Sequence, residues 1–298
     1  GVNRSLQPWQ TLWYRRTLDV SPRVGFRLLL HFGAVDQMAA VYVNDVLTAE
    51  HTGGYTAFSV DITQYLKDTD NVLTVAVLDG TDTNELSRGK QRTKRGGIWY
   101  TPQSGIWQTV WMEWVPDAYI SALHITPDIQ RGCARITVCS EQDVPCRIGF
   151  QGRSIDGMTN HELTVAVDEP ELWSPESPKL YSFYAVLGSD RVESYFALRS
   201  VAAGADADGV PCLMLNGKPY YHSGVLDQGY WPDGLYTAPS DEALIYDISL
   251  MKSMGFNMLR KHIKIEPLRW YYHCDRLGML VWQDMINGGG SYDPITIS

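Results

Sequence analysis

Short runs of alternating apolar and polar residues, separated by turn residues, fill the first 115 positions of the chain. Alternation places successive side chains on opposite faces of a strand, so each run predicts a half-buried β-strand. The clearest runs are residues 26–32, 40–44, 72–77 and 108–113. No stretch here keeps a 3.6-residue period long enough for a helix. The pattern predicts an antiparallel β-sandwich of the jelly-roll type over residues 1–115.

Similar short runs continue over residues 116–205, at a density typical of an immunoglobulin-like β-sandwich. They are residues 120–126, 134–139, 147–151, 163–167, 181–187 and 193–198. The segment 203–209 is small and acidic, and it predicts a linker. We therefore expect a second all-β domain over residues 116–205, followed by a domain of another kind.

In the last third of the chain, the spacing of the apolar residues becomes that of a helix. Leu244, Ile248 and Met251 recur at helical spacing, and Gly278 closes a second amphipathic stripe. Apolar, strand-like runs precede, separate and follow these stripes, at residues 220–226, 256–262 and 279–284. The resulting order, β-α-β-α-β, predicts a parallel sheet over residues 206–298, because parallel strands need a long crossover connection.

Charge and composition exclude several kinds of partner. A net charge of −9, with no basic cluster larger than residues 88–95, predicts no nucleic-acid partner. No apolar run is long enough to cross a membrane, so we expect no membrane attachment. The five cysteines are odd in number and form no Cys-x-x-Cys pair, which predicts free thiols and a reducing, cytoplasmic location. A homo-oligomer stays open.

Metal and nucleotide signals are weak. The seven histidines are scattered without a His-Glu-x-x-His motif, and no glycine loop of the nucleotide-binding type occurs. We predict no metal and no cofactor. The ten Trp and seventeen Tyr suit stacking on sugars, although aromatic residues more often fill cores.

Several motifs carry a resemblance to a known family. Residues 216–219, the turn 254–257 that leads into Arg260, and residues 270–281 resemble the opening of the catalytic barrel of glycoside hydrolase family 2, the β-galactosidase, β-glucuronidase and β-mannosidase group. Residues 44–45, 51–55, 61–63 and 105–108 resemble its sugar-binding domain, and residues 172–181 resemble a signature of its middle domain. The resemblance implies that residues 206–298 are the first βαβαβ portion of a (β/α)8 TIM barrel.

The candidate site residues follow from the barrel geometry, because barrel enzymes carry their sites at the carboxyl ends of the strands. Asp227 follows the first strand, Arg260 and His262 the second, and Asp284 the third, so we expect these four to converge. The resemblance implies that Arg260 orients a nucleophilic carboxylate, with a core ion pair as the alternative. It aligns the family's sugar-contacting His with Ile263, one position beyond His262.

A glycine-rich loop at residues 96–102 is the candidate wall of the site. The resemblance implies that Trp99 or Tyr100 reaches from the sandwich toward the barrel; a surface loop held by its own aromatic rings is an equal alternative. Galactose- and glucuronide-specific relatives place an Asp near here, where this chain has Ile98 before Trp99. The segment that ends in Asp284 is closer to β-mannosidase-like members. The sugar is therefore left open.

Retaining glycoside hydrolysis needs two carboxyl groups, one acid/base and one nucleophile. The family places them after the fourth and seventh barrel strands, which implies that neither lies in this chain and that it is inactive alone. The Asn84-Glu85 pair lies in a sandwich loop, so we interpret it as a solvated turn.

Three functions are compatible with these observations. The first is part of a retaining exo-β-glycosidase, a piece of a longer protein whose partner is a carbohydrate substrate. The second is a non-catalytic carbohydrate-binding module, since the jelly roll is a common lectin frame. The third is a structural scaffold. The barrel-like strands favour the hydrolase.

Overall fold

The computed structural model describes residues 5–287, and its N-terminal part is an antiparallel β-sandwich. One sheet has the order β1-β7-β4-β5, a second has the order β6-β2-β9, and β3 pairs with β8. The strands are β1 (Thr11–Leu18), β2 (Phe26–Phe32), β3 (Val35–Asp36), β4 (Met38–Val43), β5 (Val46–Thr52), β6 (Phe58–Asp61), β7 (Asn71–Leu78), β8 (Gly105–Ile106) and β9 (Val110–Pro116). Among residues 5–205 the only helix is the 3-10 turn Thr63–Tyr65.

The core of this sandwich explains its strands. Every second residue of β7, and of β2 from Leu28 onward, is buried between the sheets, including Leu30, Val75 and Val77. Burying one face of each strand fixes the register, since a slip of one residue would expose the whole apolar set. The predicted run 26–32 matches β2, and the runs 40–44, 72–77 and 108–113 overlap β4, β7 and β9.

A second antiparallel sandwich follows, with sheets in the orders β10-β11-β14 and β13-β12-β15-β16. Its strands are β10 (Ala122–Asp128), β11 (Cys133–Cys139), β12 (Pro145–Phe150), β13 (Arg153–Met158), β14 (Glu162–Ala166), β15 (Tyr181–Leu187) and β16 (Asp190–Phe196). Ile136, Ile148, Val165 and Ala185 are fully buried between them. Sequence reasoning missed β13, whose residues include no fully buried side chain.

The linker predicted over residues 203–209 is wrong in its first half. Strand β17 (Val201–Ala205) pairs with β18 (Pro211–Leu215), which pairs in turn with β19 (Lys218–Pro219). The acidic residues form the hairpin turn, where the Asp206 carboxylate accepts the N–H groups of Asp208 and Val210 at 3.0 and 2.9 Å. All five residues of β17 are exposed. Without a buried face the strand has no alternating pattern to detect.

The C-terminal part confirms the predicted β-α-β-α-β order. Its elements are β20 (Gly224–Asp227), α1 (Asp241–Ser253), β21 (Met258–Lys261), α2 (Leu268–Leu277) and β22 (Leu280–Gln283). The strands form a parallel sheet in the order β20-β21-β22. The Ser240 hydroxyl accepts the Ala243 N–H at 3.2 Å to cap α1, and Gly278 closes α2 at φ 75°. Residues 288–298, the end of the third predicted domain, lie outside the described residues.

The two faces of this sheet differ. Leu259 packs against α1 and α2 in a cluster with Ile248 and Trp270. The opposite face carries one row across the three strands, in which Leu226, Arg260 and Trp282 are register neighbours. Leu226 is 51% exposed and Trp282 is 42% exposed. The open face is the one from which the polar side chains at the strand ends can be reached.

Trp173 joins the middle sandwich to α2. Its indole is fully buried, its Nε1–H donates to the Asp275 carbonyl at 2.7 Å, and the Arg199 guanidinium lies 4.5 Å from its ring centre. Arg199 also bonds the Asp275 carboxylate at 2.6 Å. The sequence interpretation, a loop held to its own sandwich, is therefore incomplete. Cys274 on α2 is buried as predicted, and burial raises the pKa of its thiol.

No α-helix between residues 5 and 287 has both the length and the apolar character needed to cross a membrane.

Candidate functional site

Arg260 and Asp284 form an ion pair at the carboxyl ends of neighbouring strands. The Arg260 Nε–H donates to both carboxylate oxygens of Asp284, at 3.0 and 3.2 Å. β21 and β22 run parallel in register, so the residue that follows β22 lies beside the end of β21. The hydrogen bond and the charge of Asp284 raise the pKa of Arg260. The pair is a fixed cation and anion on the open face of the sheet.

His262 lies next to this pair. Its Nε2 is 3.8 Å from Asp284 Oδ2, and its backbone N–H donates to the Asp227 carbonyl at 2.8 Å. Burial, with the nearby charge of Lys90 on the first sandwich, lowers the pKa of His262 and outweighs Asp284. Its buried Nδ1 has no hydrogen-bond partner among residues 5–287. A neutral imidazole with a free nitrogen can exchange a hydrogen bond with a hydroxyl group.

Asp227 does not join these three side chains. Its carboxylate turns to the helix side of the sheet, where Oδ2 lies 2.7 Å from Lys261 Nζ and Oδ1 accepts the Gly229 N–H at 2.8 Å. Strand alternation is the cause, since Asp227 and Lys261 are register neighbours one position beyond Leu226 and Arg260. The expected convergence therefore holds for Arg260, His262 and Asp284, and it is wrong for the Asp227 side chain.

A buried network beneath this group was not foreseen from the sequence. Lys261 Nζ lies 2.9 Å from Glu266 Oε1, and Lys264 Nζ lies 2.9 Å from the same oxygen. The three side chains are at most 2% exposed. Burial opposes the charge of Lys261, but Glu266 and Asp227 outweigh it and raise its pKa. Two lysines that alternate with isoleucines just before Glu266, in the run Ile263-Lys264-Ile265 after Lys261, were the signal that could have revealed the network.

The burial of Lys264 has the opposite outcome. Burial, with the like charge of Lys261, lowers its pKa to about 8, although Glu266 opposes the shift. At pH 7 the charged form of Lys264 is thus favoured by about tenfold, far less than for an exposed lysine.

The predicted aromatic wall is half present. Tyr100, 36% exposed, stacks on Tyr230 of the loop after β20, with ring centres 4.2 Å apart. Trp99 instead lies against Arg92 of its own loop, with the guanidinium 4.0 Å from its ring centre. The first sandwich thus reaches the C-terminal part through Tyr100. Contact of either ring with a sugar stays a prediction.

A second set of aromatic rings packs at the joint between the first sandwich and the C-terminal part. The Tyr55 hydroxyl donates to the Tyr236 hydroxyl at 3.0 Å, and the Trp107 ring centre lies 5.4 Å from that of Tyr236. Gly89 fits against it because a side chain there would lie 2.7 Å from the Ile263 carbonyl. This contact brings Lys90 to the end of β21.

A cleft of about 410 Å³ lies between the Tyr100 loop and the helix side of the sheet. It is lined mainly by polar and aromatic side chains, including Tyr100, Asp227, Tyr230, Trp231, Asp247 and Lys261. Arg260 and Asp284 do not line it. Residues 5–287 contain no group of three or more His, Cys, Asp or Glu side chains placed to hold a metal ion.

The Asn84-Glu85 pair lies in the sandwich loop and outside the site. Glu85 is exposed, as interpreted from the sequence. Asn84 is more than a solvated turn residue, because its Nδ2–H donates to the side chain of the buried Gln37 at 2.8 Å and its Oδ1 accepts the Leu86 N–H at 3.1 Å.

Comparisons with known proteins agree with this architecture. Residues 5–116 match the family model described as the sugar binding domain of glycosyl hydrolases family 2, and residues 118–199 match a second model of that family. A β-galactosidase of Thermoanaerobacter pseudethanolicus is 25% identical over 303 residues, which cover 92% of this chain and 39% of that protein. A β-galactosidase of Photobacterium profundum is 29% identical over 252 residues, which cover 74% of this chain and 23% of that protein.

Solved structures give the same result. A β-glucuronidase of Faecalibacterium prausnitzii superposes with a TM-score of 0.74 at 25% identity, over 91% of this chain and 50% of that one. The chain spans half or less of the length of these three relatives. Two adjacent family models, with relatives that cover more than nine-tenths of the chain, lead to one conclusion: the chain belongs to glycoside hydrolase family 2.

Proposed function

We propose that this chain is the N-terminal part of a retaining, exo-acting β-glycosidase that removes terminal β-linked sugars. In this proposal the β20–β22 sheet supplies the first three strands of a (β/α)8 barrel. One observation carries the proposal: Arg260, His262 and Asp284 meet at the carboxyl ends of adjacent parallel strands in a chain of this family. Barrel enzymes hold their active sites at that end.

The three side chains suit complementary roles. Within residues 5–287, Arg260 engages Asp284 through Nε alone, so its terminal nitrogens can hold a further carboxylate, the proposed nucleophile. His262, kept neutral by its lowered pKa, can exchange a hydrogen bond with a sugar hydroxyl. Asp284 fixes the Arg260 side chain and can accept a bond from a second hydroxyl.

The reacting carboxylates are proposed to come from a part of the protein beyond residue 298. Retaining enzymes hold an acid/base and a nucleophile about 5–5.5 Å apart. Arg260, His262 and Asp284 supply one carboxylate, and it is already paired. We therefore expect the 298-residue chain to bind and orient a sugar weakly, without hydrolysing it.

The test compares the 298-residue chain with the full-length protein on aryl β-galactosides, β-glucuronides and β-mannosides. We expect turnover by the full-length protein only, with the β-anomer released first, as retention requires. Losing covalent catalysis removes orders of magnitude in rate. Turnover by the purified 298-residue chain, abolished by one of its own substitutions with the fold intact, would place a catalytic group here and contradict the proposal.

A non-catalytic carbohydrate-binding module is the second candidate. The observation that favours it is the match of residues 5–116 to a sugar-binding domain model. It predicts that the full-length protein binds a glycan in calorimetry and turns over none of the aryl glycosides. The sugar is not fixed by either proposal, because the relatives named above are β-galactosidases and a β-glucuronidase.

A further inference from the structure

The Lys264 ammonium group holds together segments that are distant in sequence. Its Nζ donates to the carbonyls of Gly229 and Tyr236, at 2.6 and 2.8 Å, and lies 2.9 Å from Glu266 Oε1. A charged lysine has three N–H donors, and here each has one acceptor. Gly229 and Tyr236 are the first and last residues of the segment 229–236, which lies in the loop between β20 and α1. Lys264 thus ties both ends of this segment to the residues after β21.

The tied segment carries two aromatic contacts between the first sandwich and the C-terminal part. Tyr230 stacks on Tyr100, and Tyr236 packs on Trp107. Lys264 Nζ also lies 4.9 Å from the Tyr236 ring centre and 5.5 Å from that of Trp107, within reach of a cation–π interaction. A change at this one nitrogen therefore reaches both the Tyr100–Tyr230 stack and the Tyr236–Trp107 contact.

The backbone packs closely around the Lys264 ammonium group. Gly229 adopts φ 63°, and a side chain there would lie 2.8 Å from Lys264 Nζ. The charges that face Lys264 are the carboxylates of Glu266 and Asp227 and the ammonium of Lys261. Glu266 is shared with Lys261, so Lys264 lacks a carboxylate of its own.

We propose that Lys264 is a proton-dependent positioning residue: its charged form holds the loop 229–236 and the Tyr100–Tyr230 wall in place, and loss of one proton releases one end of that loop. A neutral amine has two N–H donors for the three acceptors. This inference goes beyond glycoside hydrolysis and does not depend on it, because it concerns the joint between two parts of the fold.

A rise in pH weakens the hold of Lys264 on the loop 229–236, but it improves the contribution of Lys264 to the stability of the whole chain. The pKa of Lys264 is about 8, so the loop loses a bond as pH rises through about 8. That pKa is below the ordinary value of 10.5, so the cost of burying the charge is fully present below pH 8 and is relieved as pH rises from about 8 to 10.5. The loop should open while the contribution of Lys264 to the stability of the whole chain improves.

Hydrogen exchange of the 298-residue chain tests the proposal. Protection of residues 229–236, corrected for the intrinsic pH dependence of exchange, is measured from pH 6.5 to 9.5 against strands β15 and β16. We expect a decrease of about fivefold with a midpoint near pH 8, the equivalent of one hydrogen bond of about 1 kcal/mol. Protection of β15 and β16 should not decrease, because the contribution of Lys264 to overall stability improves over the same range.

Three variants sharpen the result. Lys264→Met should give the low protection of the alkaline state at every pH. Lys264→Arg keeps its charge throughout, so the loop should stay protected up to pH 9.5. Lys252→Met is the matched control, since Lys252 also donates to three carbonyls, those of Pro175, Leu277 and Gly278, but does so away from this loop. It should keep the wild-type transition.

The proposal is overturned if wild-type protection of the loop does not change across pH 8, or if the loop and β15–β16 lose protection together. It is also overturned if Lys264→Met keeps the wild-type transition. If a Lys264 variant does not fold, the proposal is still tested by the wild-type transition and the Lys252→Met control, because neither measurement needs a Lys264 variant.

Discussion

The two faces of the β20–β22 sheet carry similar ion pairs in opposite surroundings. On the open face Arg260, with 47% of its side chain exposed, meets Asp284. On the helix face Lys261, 1% exposed, meets Glu266, 2% exposed. Exposed pairs contribute little to stability because water and salt screen them. Buried pairs lose their hydration on folding and depend on each partner being present.

The exposed ion pair is suited to binding a ligand, whereas the buried network is suited to holding the fold. The open pair can exchange its partners for a ligand at small cost, which is what a binding site requires. The buried network cannot, because each of its charges is balanced by the others. Arg260 and Lys261 are neighbours in one strand but serve different purposes. Strand alternation is the cause, because it places them on opposite faces of the sheet.

The largest effect is expected from Glu266→Gln. The substitution removes the carboxylate shared by Lys261 and Lys264, and breaking a buried ion pair costs about 3–5 kcal/mol of the free energy of unfolding. The loss should be larger at pH 6 than at pH 9, since Lys264 can escape the cost by losing its proton. Urea unfolding at both pH values measures it.

The control for this substitution is Glu85→Gln, a change of the same atoms at an exposed position. It should alter the free energy of unfolding by less than about 0.5 kcal/mol. Equal effects of the two variants would show that the helix face does not depend on its charges.

The open and buried pairs also show how far the sequence leads. The ends of parallel strands could be located from apolar runs and helix signals, so Arg260 and Asp284 were found. The side on which each residue projects depends on where a strand of only four residues starts, and here the pattern was too short to fix it. Asp227 was therefore assigned to the wrong face, and the partners of Lys264 were invisible because Gly229 and Tyr236 contribute backbone carbonyls.

Other differences have the same origin. Strands with a buried face, such as β2 and β15, match their predicted runs. β17 has no buried face and was taken for a linker. Trp173 was correctly seen as structural, but its partner Asp275 is a hundred residues away, and pairing over that distance leaves no local pattern.

The second prediction compares two leucines of the same sheet. Leu259→Ala, at a site 2% exposed between the sheet and its helices, should cost about 2–5 kcal/mol through lost contacts and a cavity. Leu226→Ala, at a site 51% exposed on the open face, should change stability by no more than about 0.5 kcal/mol. Thermal unfolding of the two variants measures the difference. Similar losses would mean that the open face is covered in solution.

The smallest effect concerns His262, where the open face meets the first sandwich. Burial and the charge of Lys90 lower the pKa of His262, and Asp284 opposes them. Lys90→Met should therefore raise the midpoint of the His262 NMR titration, and Asp284→Asn should lower it. Lys94→Met, an exposed change on the same loop, should leave it unmoved.

The stability of the chain should follow the same titration. Because its folded pKa is below the ordinary value of 6.5, His262 contributes stability that is present above pH 6.5 and is lost as pH falls toward the folded pKa. The loss should be smaller in Lys90→Met, where the folded pKa is closer to 6.5. An unchanged midpoint in Lys90→Met would mean that the sandwich loop does not reach the end of β21 in solution, and the joint through which Tyr100 and Lys90 approach the strand ends would then have to be abandoned.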